Sequence, residues 1–338
     1  MRSLPGPGTA ERAGTPVAVA ARAATAVSLA AAAAVVLGEV TAGWGDLAWL
    51  PLVAGLLLGL PHGAVDHLVP AYRLRWGTAR LAAFALGYAA VATVAWLLFR
   101  AAPGPALAVF VLLSAWHFGT GETAFADLRA GRPVRRAVLP AAVLGGLVLL
   151  VPLARGAEEA APVVAAVVPG SDGTLPPGMG TVVLAVVLPA AAALALALLL
   201  ETRWTEAAEV GALAVLVLVA PPLAAFGVYF GCWHSVRHTA RVLAEDPANA
   251  PDLAAGRLGP PLRRFAVAAA PPTAAVLAVL ALLWSAAGGW RGLVATDLPL
   301  LAALTVPHAL VVAWLDRAAG RGTVPRAASA APVPTRRS

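Results

Sequence analysis

Apolar blocks of roughly twenty residues recur along the whole chain, and each is long enough to cross a bilayer as a helix. They fall at about 18–38, 48–70, 79–99, 105–126, 136–154, 181–200, 206–222, 223–243, 263–286 and 296–316. Inside hydrocarbon every backbone N–H and C=O must find a partner within the protein, so a spanning segment is a helix or a strand of a closed barrel. Barrel strands alternate apolar and polar residues over about ten positions. These Ala-, Leu- and Val-rich blocks do not alternate. The chain reads as an all-α, polytopic transmembrane helical bundle of about ten spans (eight to ten), multi-pass in the cell membrane. Its charged content of 12% is about half that of a soluble domain. The count turns on Pro221-Pro222, where two blocks abut with almost no loop and are readable as one broken helix.

The formal charge is +7, and every basic side chain is arginine. The arginines cluster in alternate loops: Arg73, Arg75 and Arg80; Arg129, Arg132, Arg135 and Arg136; Arg237, Arg241, Arg257, Arg263 and Arg264; and the C-terminal tail. The intervening loops are acidic or poor in arginine, with Glu39, Asp46, Glu158, Glu159 and Asp172. This bias orients the protein with both termini in the cytoplasm, and it makes nucleic acid an unneeded partner for the basic excess. Three segments follow: a disordered Pro/Gly-rich tail over 1–17, a membrane domain over 18–316 and a disordered basic tail over 317–338. A cleaved signal peptide fits the long charged N-terminus poorly. The stretch 155–180 reads as the longest outer connection. The single cysteine, Cys232, excludes an internal disulfide and a cysteine-based metal cluster.

All six histidines lie inside apolar blocks. His62 and His67 sit in GLPHGAVDH, His117 in SAWHFGTGE, His234 and His238 in CWHSVRH, and His308 in LTVPHAL. In the ten-span reading they occupy the second, fourth, eighth and tenth spans, which run in one direction. Apart from His67, each lies about eleven to fifteen residues into its span, near or just past the bilayer centre at 1.5 Å per residue. A lone intramembrane histidine commonly serves only to hydrogen-bond two helices. Five at one depth argue for a single site, because buried ionisable groups are costly.

Protonated imidazoles packed together repel one another and lose solvation, whereas neutral imidazole is the commonest metal ligand. His234 and His238, four residues apart, lie about 40° apart on a helix and can point at one centre. His62 and Asp66 have the same spacing, which suits His62 as a ligand and Asp66 as a carboxylate that positions an imidazole. His62 and His67 are about 140° apart, and His67 reads as a packing or boundary residue. Glu122 reads as a charge at the inner boundary. Arg237 reads as facing away from the site toward the cytoplasmic interface. Glycine pairs at i, i+4 (Gly59 with Gly63, Gly227 with Gly231) mark close helix contacts, and Pro61 can kink the helix beside His62. Zinc, copper, iron and nickel all accept imidazole, so the donor type alone leaves the metal open.

Taken together and in this order, GLPHGAVDH, WHFG, HSVRH and LTVPH resemble the Brp/Blh family of membrane β-carotene 15,15′-dioxygenases, over about residues 48–316. The resemblance implies a carotenoid-cleaving dioxygenase whose catalytic domain is the membrane domain. Its substrates would be β-carotene and O₂, and its product two retinal molecules from cleavage of the central double bond. It implies Fe(2+) held by His62, His117, His234 and His238, with Asp66 and His308 supporting them from behind. It also implies the lipid bilayer as the medium of the substrate and a retinal-accepting rhodopsin as a candidate partner. Trp116, Phe118, Phe226, Tyr229, Phe230 and Trp233 flank the ligands and are candidates to line a tunnel for the carotenoid. Two other readings compete: a bis-histidine haem protein of electron transfer, and a histidine-based proton-coupled transporter. Four histidines near one depth are one pair too many for a single haem, and the spans show no second buried acidic pair for proton relay.

Overall fold

The computed structural model describes residues 16–135, 137–286 and 290–320. Most of both expected tails, residues 1–15 and 321–338, lies outside the described residues; 16–17 and 317–320 are helical. No strand occurs among the described residues. The helices are α1 (Pro16–Thr41), α2 (Trp49–Ala64), α3 (Leu68–Leu74), α4 (Thr78–Ala101), α5 (Pro103–Arg129), α6 (Val138–Arg155), α7 (Ala157–Val167), α8 (Met179–Leu200), α9 (Trp204–Val219), α10 (222–245), α11 (Ala250–Ala254), α12 (Gly259–Ala286) and α13 (Trp290–Gly320).

Eight of the described helical segments are long and apolar enough to cross a membrane. The two remaining expected spans, α9 and α10, differ in kind. Helix α9 is 16 residues long and carries Glu206 and Glu209. Helix α10 ends in a charged stretch with Arg237, Arg241 and Glu245. They are separate helices, because Ala220 and Pro221 adopt extended backbone and break the run at the proline pair. The connection over 155–180 is shorter as a loop than expected, since α7 occupies its first half.

Two helices depart from regular winding. The middle of α6 (Gly146–Leu150) and of α10 (Tyr229–His234) are π-helical, a form that recurs at functional sites. Helix α2 runs through Pro61, whose missing N–H removes one rung of its ladder, and ends at Ala64. The chain then turns through Val65–His67 before α3 begins. The GLPHGAVDH motif is therefore a helix end plus a turn, with His62 on the helix and Asp66 on the turn.

Without water between the helices, association depends on close packing rather than on a hydrophobic drive. Helix α10 sits against both α1 and α2, α5 against α6, α4 against α13 and α8 against α9. The α2–α10 contact is backbone on backbone. A Cβ on Gly55 would stand 1.9 Å from the Gly227 carbonyl oxygen, and one on Gly231 would stand 2.3 Å from that of Gly55. At α5–α6 the same arrangement recurs, with a Cβ on Gly119 or on Gly145 falling 1.8 Å from the opposing carbonyl. The core between these pairs holds Leu147, Leu213, Leu216, Tyr229 and Trp233, all essentially buried. Large apolar side chains such as Leu86, Leu139, Leu200 and Leu282 project from the outer surface, as expected of faces turned to lipid.

Candidate metal centre

Four helices and five side chains build the centre. Helix α2 brings His62, α5 brings His117, α10 brings His234 and His238, and α13 brings His308; all five are buried. The rings contact one another edge to face. Centroids lie 5.4 Å apart for His62–His234, 5.0 Å for His117–His234, 5.0 Å for His117–His308 and 4.9 Å for His62–His308. His238 lies 5.5 Å from His62 and 5.4 Å from His308. Ligand atoms of His62, His234 and His308 all fall within 4.8 Å of one another, a spacing that could hold a metal ion.

The hydrogen bonds fix which nitrogens face inward. His62 Nδ1 donates to the Gly59 carbonyl, one turn back on its own helix. A carbonyl can only accept, so Nδ1 carries the proton and Nε2 keeps its lone pair. His308 Nδ1 donates to Asp66, 2.9 and 3.0 Å from the two carboxylate oxygens, with the same consequence for its Nε2. Tyr88 Oη donates to Asp66 at 3.0 Å and also lies 3.3 Å from the Leu304 carbonyl. The Nε2 atoms of His117 and His234 approach to 3.2 Å. The Nε2 atoms of His238 and His308 are buried and lack any hydrogen-bond partner.

This donor set fits a metal ion. With a metal–nitrogen bond of about 2.1 Å and a ring centre about 1.1 Å beyond it, ligands about 90–120° apart put their ring centres about 4.5–5.5 Å apart. The separations above fall in that interval. The same packing leaves no slab between trans imidazoles for a porphyrin, which disfavours the haem reading.

The structure relocates two expectations. Arg237 does not face the cytoplasmic interface. It is buried, with Nη1 2.8 Å from Glu122 and Nη2 2.7 Å from Glu209, and its guanidinium lies 4.4 Å over the Trp233 ring and 4.7 Å over that of Phe125. Glu122 is not a boundary charge. It is buried and accepts from Arg237, from Trp233 Nε1 at 3.0 Å and from Tyr229 Oη at 3.2 Å. Glu209 is buried too and also binds Arg129. Buried acidic groups therefore do exist within the bundle: Glu122 and Glu209 are held by arginine, and Asp66 by His308 and Tyr88. A cavity of only about 10 Å³ separates this network from the centre, bordered by His234, His238, Glu122 and Arg237.

The expected lining aromatics divide. Phe118 stands edge-on to His234 at 4.8 Å, Phe230 stands at 5.5 Å from His62, and Phe226 stacks on Phe230 at 6.1 Å. Tyr229 and Trp233 are fully buried, with their polar atoms committed to Glu122, which leaves them no face for a ligand. Trp116 is on the outer surface of α5, 44% exposed. His67 stands just before α3, and its side chain makes no capping hydrogen bond there. Sequence reasoning missed Tyr88, Gly55 and Glu209. Tyr88 had a signal, being one of only three tyrosines and lying in an apolar span.

The family model described as beta-carotene 15,15′-dioxygenase matches residues 53–316, a stretch that includes all five histidines. The chain belongs to the β-carotene 15,15′-dioxygenase family. A relative from Halobacterium salinarum, named Probable beta-carotene 15,15′-dioxygenase Blh, is 38% identical, in an alignment covering 80% of this chain and 85% of that protein. No solved structure matches the chain. As a member of this family the chain is a membrane-embedded dioxygenase that cleaves β-carotene to retinal.

Proposed function

We propose that this cleavage depends on iron, that Fe(2+) is held by His62, His117, His234 and His238, and that the protein works as a multi-pass protein of the cell membrane. The observation that carries the reading is the convergence of buried imidazoles from four helices, with two Nε2 atoms that have no other partner. Imidazole suits iron, and when bound the iron supplies the activation of O₂.

The remaining work falls to the protein. Neutral imidazoles leave the ion its full positive charge, and the dry surroundings keep water from competing for it. β-Carotene is a long apolar rod that already resides in the bilayer, so an intramembrane centre meets it there. Phe118, Phe226 and Phe230 form a contiguous aromatic wall against His62 and His234, suited to stacking on a polyene. Each carbon of the broken double bond takes one oxygen atom, so both atoms of O₂ end as aldehyde oxygens. The balance needs no outside electrons or protons. A rhodopsin that takes up the released retinal is the fitting partner for so insoluble a product.

Expression in a β-carotene-producing bacterium tests the reading. Loss of orange colour with retinal formed, and about one iron per purified chain, is the expected result. A purified active enzyme free of iron, or unimpaired His62→Ala and His238→Ala variants, would overturn it.

A further inference from the structure

We infer that His308 is itself a metal ligand, held for that role by Asp66 and Tyr88; this rests on the metal reading above. His62, His234, His117 and His308 form a closed ring in which each centroid lies 4.9–5.4 Å from the next. His308 touches three of the other four rings, and its ligand atom belongs to the tightest three-histidine group. A residue that merely supported the ligands from behind would turn its free nitrogen away from them or satisfy it. His308 does neither, for its Nε2 is buried without a partner.

The opposite nitrogen is firmly held. Nδ1 faces both oxygens of Asp66, which lies on the turn that follows α2. A carboxylate behind an imidazole fixes its tautomer and raises the basicity of the far nitrogen, the usual arrangement behind a metal-bound histidine. Tyr88 from α4 ties this carboxylate to the Leu304 carbonyl, one turn before His308 on α13. Three separate elements thus converge on the orientation of one ring, and that ring presents a lone pair to the centre. Asp66 and Tyr88 are positioning residues; His308 is the donor. Gly63 leaves room beside the ring, the nearest atom to a Cβ there being His308 Nδ1 at 3.7 Å.

Cobalt(II) titration of the full chain, purified in detergent and stripped with a chelator, tests this through the visible absorption of the bound ion. The wild type should bind one Co²⁺. Asp66→Asn should weaken binding by about 10–100-fold, the range for loss of a carboxylate behind a ligand. His308→Gln should weaken it further and change the absorption band. In His308→Gly, added imidazole should restore both affinity and band, which a structural role would not do. X-ray absorption of the Co²⁺-loaded wild type, which needs no variant to fold, should count five imidazoles. A count of four, or wild-type affinity and band in His308→Gln while His62→Ala fails to bind, would overturn the inference and leave the metal reading standing. A wild type that binds neither Co²⁺ nor Fe²⁺ would remove both.

Discussion

Helix α10 has two buried polar faces that solve the same problem in opposite ways. On one, Arg237 meets Glu122 and Glu209, while Tyr229 and Trp233 complete the shell of Glu122. With Arg129 on Glu209, two arginines balance two carboxylates there, and both carboxylates are hydrogen-bonded. On the other, one residue further along, His234 and His238 turn toward three more imidazoles with no anion among them, and two nitrogens have no partner. Native interiors rarely tolerate unsatisfied buried polar atoms. The first face is complete within the protein. The second is complete only when a cation joins it. The comparison teaches that burial of charge does not by itself mark a site; several ligand-type nitrogens converging with their bonding unfinished do.

The comparison can be broken most severely at the unfinished face. His234→Ala, or removal of the metal with a chelator, should abolish retinal formation while the purified protein keeps its helical circular dichroism. Added Fe²⁺ should restore the chelated wild type and not the variant. Next comes the finished face. Arg237→Met leaves Glu122 without its counter-charge and Glu209 with Arg129 alone, and loss of one partner from a buried pair costs about 3–5 kcal/mol. The expected result is a lower unfolding midpoint in detergent, with activity lost only as folded protein is lost. Glu122→Gln is milder. The amide oxygen can still accept from Trp233 and Arg237, and the amide N–H can donate to the Tyr229 hydroxyl, so the loss should be about 1–3 kcal/mol, the cost of weakening a charged hydrogen bond, with metal content unchanged. Smallest of all, Cys232→Ser should shift stability by less than about 1 kcal/mol, since nothing but packing engages the thiol. If Arg237→Met emptied the metal site of well-folded protein, the two faces would not be independent.

Much of this was readable from sequence because a membrane exaggerates the signal. Twenty apolar residues in a row admit few structures, and a histidine among them is conspicuous. His62, His117, His234, His238 and His308 all reach one place, as a shared depth suggests. What spacing could not reveal is which partner lies on each side of a ring. Asp66 and His308 are 242 residues apart, and their bond depends on a turn at the end of α2 that reads as continuous helix. Arg237 is about 100° around the helix from His238, but periodicity does not say whether that direction holds water or Glu122. The usable signal was cost. An arginine and two glutamates inside apolar stretches must find one another. The identity of the metal was never in the spacing, since several ions accept imidazole.

The glycine seam between α2 and α10 bears on how a stiff polyene reaches its destination. Two backbones that touch at Gly55, Gly227 and Gly231 have no side chains between them that could rotate aside. Parting them would cost the whole contact at once. That seam carries His62, His234 and His238 on helices whose backbones touch, which makes it a poor place for a passage to open. His117 and His308 ride on α5 and α13, which lie against each other and against α4. A passage for a long lipid-soluble guest would form more easily away from this seam, where side chains rather than touching backbones would set its width.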